Sequence, residues 1–128
     1  MYELKVVTRF AAAHQLKMVT EKCENLHVHN WRVEMFVTGP ELNDAGVLMD
    51  FGLLKNHLSG VIDGLDHKFL NELNFFDTEN PSSENIARFI ALAMQEKLAD
   101  VPIDVSRVSV WESDDACATY YLSGRGSR

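Results

Sequence analysis

Two alternating runs, each carrying imidazole at one end, constrain this chain more than any other feature. Leu4, Val6, Thr8, Phe10, Ala12 and His14 occupy every second position of one run. His27, His29, Trp31, Val33, Met35 and Val37 do so in the other. Residues two apart on a strand share a face. The first run ends on His14 and the second begins on His27 and His29. Placed side by side as an antiparallel ribbon joined by a long loop, the two strands bring three ring nitrogens to one point. Neutral imidazoles are good metal ligands, and three protein ligands with one open position is the pattern of a catalytic rather than a structural zinc site. An isolated His-x-His pair also serves as an ordinary hydrogen-bonded structural pair, so the spacing by itself is a hypothesis.

The chain has 128 residues, which suits one domain closing one hydrophobic core. Its formal net charge of −7 argues against non-specific binding to nucleic acid or to an anionic membrane surface. An anionic substrate would need a local cluster of cations. Two cysteines, Cys23 and Cys117, are too few for a disulfide framework. Lys5 and Arg9 interrupt the N-terminal run, which does not read as a signal peptide, and no apolar stretch approaches the ~18 residues of a membrane span. The expectation is a cytoplasmic, acidic single domain over residues 1–122, with the Gly/Ser/Arg-rich residues 123–128 as a frayed tail.

In order, residues 2–14 read as a strand and 15–26 as a loop carrying Cys23. Residues 28–38 read as a second strand, ended by Gly39-Pro40. Asp50 is a good N-cap, and Phe51, Leu54, Leu58, Val61, Ile62 and Leu65 fall at helical spacing over 51–65. Residues 72–81 look irregular. Asn80-Pro81 opens a second helix whose buried stripe is Ile86, Phe89, Ile90, Ala93, Met94 and Leu98. Residues 104–112 and 116–122 form a closing hairpin around Ser113-Asp114-Asp115. The layout is α+β: a four-stranded antiparallel sheet backed on one face by two helices. So small a sheet leaves edges open, and edge-to-edge oligomerisation follows as an expectation.

Three further places could carry chemistry. Cys23 precedes the His pair by four residues; beside a cation its thiol would ionise and act as a base or as a fourth ligand, and otherwise it is an inert loop thiol. Asp66-His67 is an acid–imidazole pair, a common proton relay when the carboxylate holds the ring, though sequence neighbours need not be hydrogen-bonded. Glu112 shares a strand face with Val108 and Val110. A carboxylate there needs a partner, such as a ligand edge presenting two adjacent N–H groups; the plainer alternative is a strand-end residue in solvent.

Taken together, these segments resemble the 6-pyruvoyl-tetrahydropterin synthase family, which includes the 6-carboxy-tetrahydropterin synthases of queuosine synthesis. The matching stretches are Phe10–His14, Cys23-x3-His27-x-His29-Asn30-Trp31, Gly46–Phe51, Leu65–Asn71, Asn80-Pro81-Ser82-Ser83-Glu84-Asn85 and Val110-x-Glu112. The resemblance implies a tunnelling fold, ββααββ, whose subunits join strand to strand into a β-barrel with sites between subunits. It implies zinc on His14, His27 and His29, Cys23 as general base and Asp66–His67 as proton relay. It implies pterin binding by Glu112, with Ser82 and Ser83 nearby, and 7,8-dihydroneopterin triphosphate as substrate. Lys17, Lys22 and Arg9 are candidates to hold the triphosphate. The family usually has Gly between the two motif histidines, where this chain has Val28; its side chain is expected on the face away from the ligands.

Overall fold

The computed structural model of the protein describes residues 1–17 and 25–122. Cys23, Lys22 and the tail 123–128 lie outside the described residues. β1 (Tyr2–His14) and β2 (His27–Gly39) form the expected antiparallel ribbon, in register from Tyr2 opposite Gly39 to His14 opposite His27. β2 pairs in turn with β4 (Asp104–Ser113), and β4 with β5 (Ala116–Tyr121), both antiparallel.

The expected four-stranded antiparallel sheet needs one correction. A fifth strand, β3 (Lys68–Phe69), lies parallel to β1 at Ala12 and Ala13, so the sheet is mixed, in the order β3-β1-β2-β4-β5. Two residues carry no periodicity, and only the path of the backbone places them there.

Helix α1 (Phe51–Ile62) starts where Asp50 caps it, its Oδ2 accepting the Leu53 N–H at 2.9 Å. It ends three residues earlier than its apolar spacing suggests. The N–H groups of Gly64 and Leu65 turn back three residues to the carbonyls of Val61 and Ile62, tightening the last turn. Phe51, placed on the buried stripe by spacing, is 51% exposed; as the first helical residue it has no preceding turn of its own helix to pack over. Helix α2 (Ser83–Lys97) begins after Pro81, not at it. Ser82 is the N-cap, its Oγ accepting the Asn85 N–H.

One face of the sheet closes the core. Val6, Phe10 and Ala12 of β1, Trp31, Val33, Met35 and Val37 of β2, and Val108 and Val110 of β4 are buried with Leu54, Leu58, Ile86, Ile90 and Met94 from the helices. The opposite face carries Lys5, Arg9, Arg32, Glu34 and Arg107. There Arg107 lies 3.8 Å over the Phe36 ring, and Glu34 accepts from the Trp111 indole N–H and from Arg32, each at 2.9 Å. No helix among the described residues is long and apolar enough to cross a membrane.

Leu58 is 1% exposed and central to α1, so Leu58→Ala should destabilise the protein by about 2–5 kcal/mol, read as a lower urea midpoint at unchanged m-value.

Candidate metal centre

The end of the β1–β2 ribbon bearing His14 and His27 holds the imidazoles. His14, His27 and His29 all project from the core-facing side, as the two-residue spacing requires. His14 is 2% exposed, and its Nδ1 lies 2.8 Å from the carbonyl oxygen of Pro81. A carbonyl only accepts, so Nδ1 carries a proton, and in the neutral ring Nε2 presents its lone pair to the site. The His14 and His29 rings stand edge to face, 5.0 Å apart, over the buried indole of Trp31, which lies 4.9 and 5.2 Å from them. Trp31 is itself fixed by its Nε1–H to Ala12 O and by stacking on Phe10. An apolar floor of this kind orients the rings and keeps water away from beneath them.

Glu112 completes the group. Its Oε1 is 3.2 Å from His14 Nε2 and 3.1 Å from His29 Nε2. Among the described residues, the His, Cys, Asp and Glu donor atoms that gather within 4.8 Å of one another are those of His14, His29 and Glu112. With His14 Nδ1–H committed to Pro81, a neutral His14 ring meets the carboxylate lone pair to lone pair. That contact is repulsive unless a cation lies between. Donors on a tetrahedral zinc with ~2.0 Å bonds sit roughly 3.3 Å apart, so the donor set and spacing suit such an ion. His27 is exposed, with its ring 6.1 Å from His14 and 5.6 Å from His29. Rings on one tetrahedral zinc have centroids on the order of 5 Å apart, so His27 stands at the rim of the same group.

Sequence reasoning placed the three imidazoles together but read Glu112 as a ring clamp, not as a neighbour of the imidazoles. The signal was present: Glu112 continues the inward face of Val108 and Val110 one step past the Trp111–Arg32 pair. Pro81 was missed as the partner of His14 because a backbone carbonyl leaves no mark in the choice of side chain.

Asp66 and His67 are hydrogen-bonded after all, Oδ2 to Nδ1 at 3.0 Å. They also grip β1 at one residue: Asp66 Oδ1 accepts the Ala11 N–H at 2.9 Å, and the His67 N–H donates to Ala11 O at 2.6 Å. To do this His67 takes φ +58°, a left-handed conformation that costs a residue with a Cβ roughly 1–2 kcal/mol. Its ring is 81% exposed at the side chain, leaving Nε2 open. It borders a depression of about 350 Å³ with Ala11, Ala13, Val28 and Lys68. Ala11, Ala13 and Val28 belong to the sheet face opposite His14 and His29. Val28, 72% exposed, therefore does point away from the imidazoles. Within one chain the His67 ring and the imidazole group lie on opposite sides of the sheet.

Ser82 and Ser83 are half-buried at the start of α2, close in sequence to the Pro81 carbonyl. Of the candidate cations, Arg9 lies on the outer sheet face. Lys17 borders a 390 Å³ depression together with Asp77 and Glu79, acidic company for a polyanion.

A family model described as 6-pyruvoyl tetrahydropterin synthase matches residues 3–123. The chain belongs to that family. A 6-carboxy-5,6,7,8-tetrahydropterin synthase from Synechocystis sp. is 37% identical over 117 residues, covering 88% of this chain and 87% of that protein. A dihydroneopterin monophosphate aldolase from Pyrococcus furiosus is also 37% identical, over 106 residues, covering 83% of this chain and 85% of that one. The solved 6-pyruvoyl tetrahydropterin synthase of Caenorhabditis elegans superposes with a TM-score of 0.83 at 25% identity, over 95% of this chain and 96% of its own. This member of the 6-pyruvoyl tetrahydropterin synthase family therefore has the tunnelling fold that the resemblance implied.

The Asp66 carboxyl is held below its ordinary value of 3.8, first by the Ala11 N–H, against a smaller opposing push from burial, and then by His67. Burial pushes the Glu34 carboxyl up from 4.5, but the Trp111 N–H, Arg32 and Lys5 together outweigh it and leave it lowered. Both groups bind protons more weakly folded than unfolded. Their stabilisation is therefore complete above the ordinary values and is lost as pH falls through the lowered ones. Urea denaturation of the metal-free protein should show this loss on the acid side, and Asp66→Asn should flatten it.

Proposed function

We propose that this protein is a zinc-dependent 6-carboxy-5,6,7,8-tetrahydropterin synthase, a lyase acting on 7,8-dihydroneopterin triphosphate with release of triphosphate and acetaldehyde. The observation that carries the reading is the convergence of His14 Nε2, His29 Nε2 and Glu112 on one point, with the His14 tautomer fixed by Pro81. The 37% identity to the Synechocystis synthase supports it.

His14 and His29, with His27 at the rim, would hold the ion. Zinc bound there supplies Lewis acidity toward the vicinal hydroxyls of the pterin side chain. Cys23 serves as general base for the side-chain proton. Asp66 keeps the His67 Nδ1–H engaged and leaves Nε2 to take or give a proton at the pterin ring. Glu112 accepts two adjacent ring N–H groups side by side. That edge lies across the pterin ring from the hydroxylated side chain, so to hold it Glu112 would turn its carboxylate away from the imidazoles, where Oε1 now lies. Ser82 and Ser83 border the ring from the α2 start.

Because Asp66–His67 and the imidazole group occupy opposite faces of one sheet, a site using both takes them from two subunits. The open outer face and the edge strands β3 and β5 support assembly into a barrel of such subunits. The compartment that suits this chemistry is the cytoplasm.

The aldolase relative, at the same identity, favours a second reading: carbon–carbon cleavage of the monophosphate. The 6-pyruvoyl synthase reaction and a non-catalytic pterin-binding role are the remaining alternatives. Incubation with dihydroneopterin triphosphate and monophosphate in parallel, with products identified by mass, separates all four. Acetaldehyde with a 6-carboxy product is expected; a 6-pyruvoyl product, aldol cleavage of the monophosphate alone, or binding without turnover would each replace the first reading. Cys23→Ala and His67→Ala should each slow turnover about 10²–10⁴-fold while leaving bound zinc near wild-type levels, measured by steady-state kinetics and elemental analysis.

A further inference from the structure

Beyond His14 β1 ends, and side-chain amides hold the backbone of the residues that follow. Asn71 pairs with the Gln15 backbone through both amide groups, accepting its N–H at 2.9 Å and donating to its C=O at 2.7 Å. Asn80 does the same to Lys17, at 2.8 and 2.7 Å. Asn80 is in turn held from α2, where Asn85 Nδ2 donates to the Asn80 carbonyl at 2.9 Å. The next carbonyl along, that of Pro81, receives His14 Nδ1–H. Pro81 has no N–H of its own, and its ring fixes φ, so the direction of its carbonyl depends on what holds its neighbours.

We propose that Asn80 and Asn85 are positioning residues for His14: together they aim the Pro81 carbonyl that fixes the imidazole tautomer and hence the metal-binding nitrogen. Asn85 holds the turn from the helix side and Asn80 ties it to the segment leaving His14. The turn and the ligand thus move as one unit. The inference rests on the reading of His14 as a metal ligand. It explains why an Asn-Pro-Ser-Ser-Glu-Asn turn stands at this point. Ser82 caps the helix, and the two asparagines that flank it serve the ligand on the neighbouring strand. Second-sphere partners of a ligating imidazole commonly contribute 10–100-fold in metal affinity.

The test compares Asn85→Asp, which removes the donor to Asn80 O, and Asn80→Ala with wild type. His14→Ala serves as the positive control. Asn43→Ala is a matched loop control: Asn43 Oδ1 accepts from Ala45 and Val47 N–H near the other end of the ribbon. Zinc affinity is read by competition with a chromophoric chelator, cobalt(II) coordination by its visible spectrum, and folding by melting of the metal-free proteins. The expected result is a 10–100-fold weaker zinc affinity and an altered cobalt spectrum for both Asn85→Asp and Asn80→Ala, with Asn43→Ala unchanged in both. If His14→Ala weakens zinc binding but neither asparagine variant does, the positioning role is wrong while the metal reading stands. If His14→Ala leaves zinc affinity unchanged, the metal reading itself fails. If one asparagine variant does not fold, the other decides; loss of the fold in both would make the pair structural and overturn the proposal.

Discussion

The register of β1 against β2 is the constraint on which the site depends. Thirteen paired positions run from Tyr2–Gly39 to His14–His27, and one face of that ladder is packed against both helices. A slip of one residue would send Trp31, Val33 and Met35 to the outer face and bring Arg32 and Glu34 into the core. The same slip would separate His29 from His14. The apolar residues that close the core therefore also set where the imidazoles stand, and the site needs no separate scaffold.

On that frame the chemistry is shaped by groups that are not themselves reactive. Trp31 floors the rings, and a proline carbonyl decides which nitrogen of His14 is free. The result is a close gathering of two imidazole nitrogens and a carboxylate oxygen above a buried indole. Such an arrangement is costly without a positive charge at its centre and favourable with one.

The Asp66–His67 pair is built on a different principle. It is tied to a single residue of β1 by two hydrogen bonds, and it accepts a left-handed backbone at His67 to make them. Strain of this kind persists where surrounding contacts over-determine it, and it often marks a functional position. Here it turns an imidazole outward, away from the His14–His29–Glu112 corner of its own chain, toward the sheet face of Ala11, Ala13 and Val28.

Much of this was legible in the residue order. The two-residue alternation and the helical stripes are direct consequences of side-chain periodicity, so β1, β2, β4, β5 and the bodies of both helices could be read from it. So could the shared face of His14, His27 and His29, and the outward direction of Val28. The two-residue β3, the start of α2 at Ser83 and the end of α1 at Ile62 could not, because each depends on backbone hydrogen bonds between segments. The closeness of Glu112 to His14 and His29, the Pro81 carbonyl beneath His14, and the separation of His67 from the other imidazoles are of the same kind. The sequence by itself determined which side chains face together along each strand, because that is a property of one chain segment and its period. Tertiary structure alone decided which donors meet across segments and which carbonyl holds His14 Nδ1, because those depend on distances between atoms far apart in the chain.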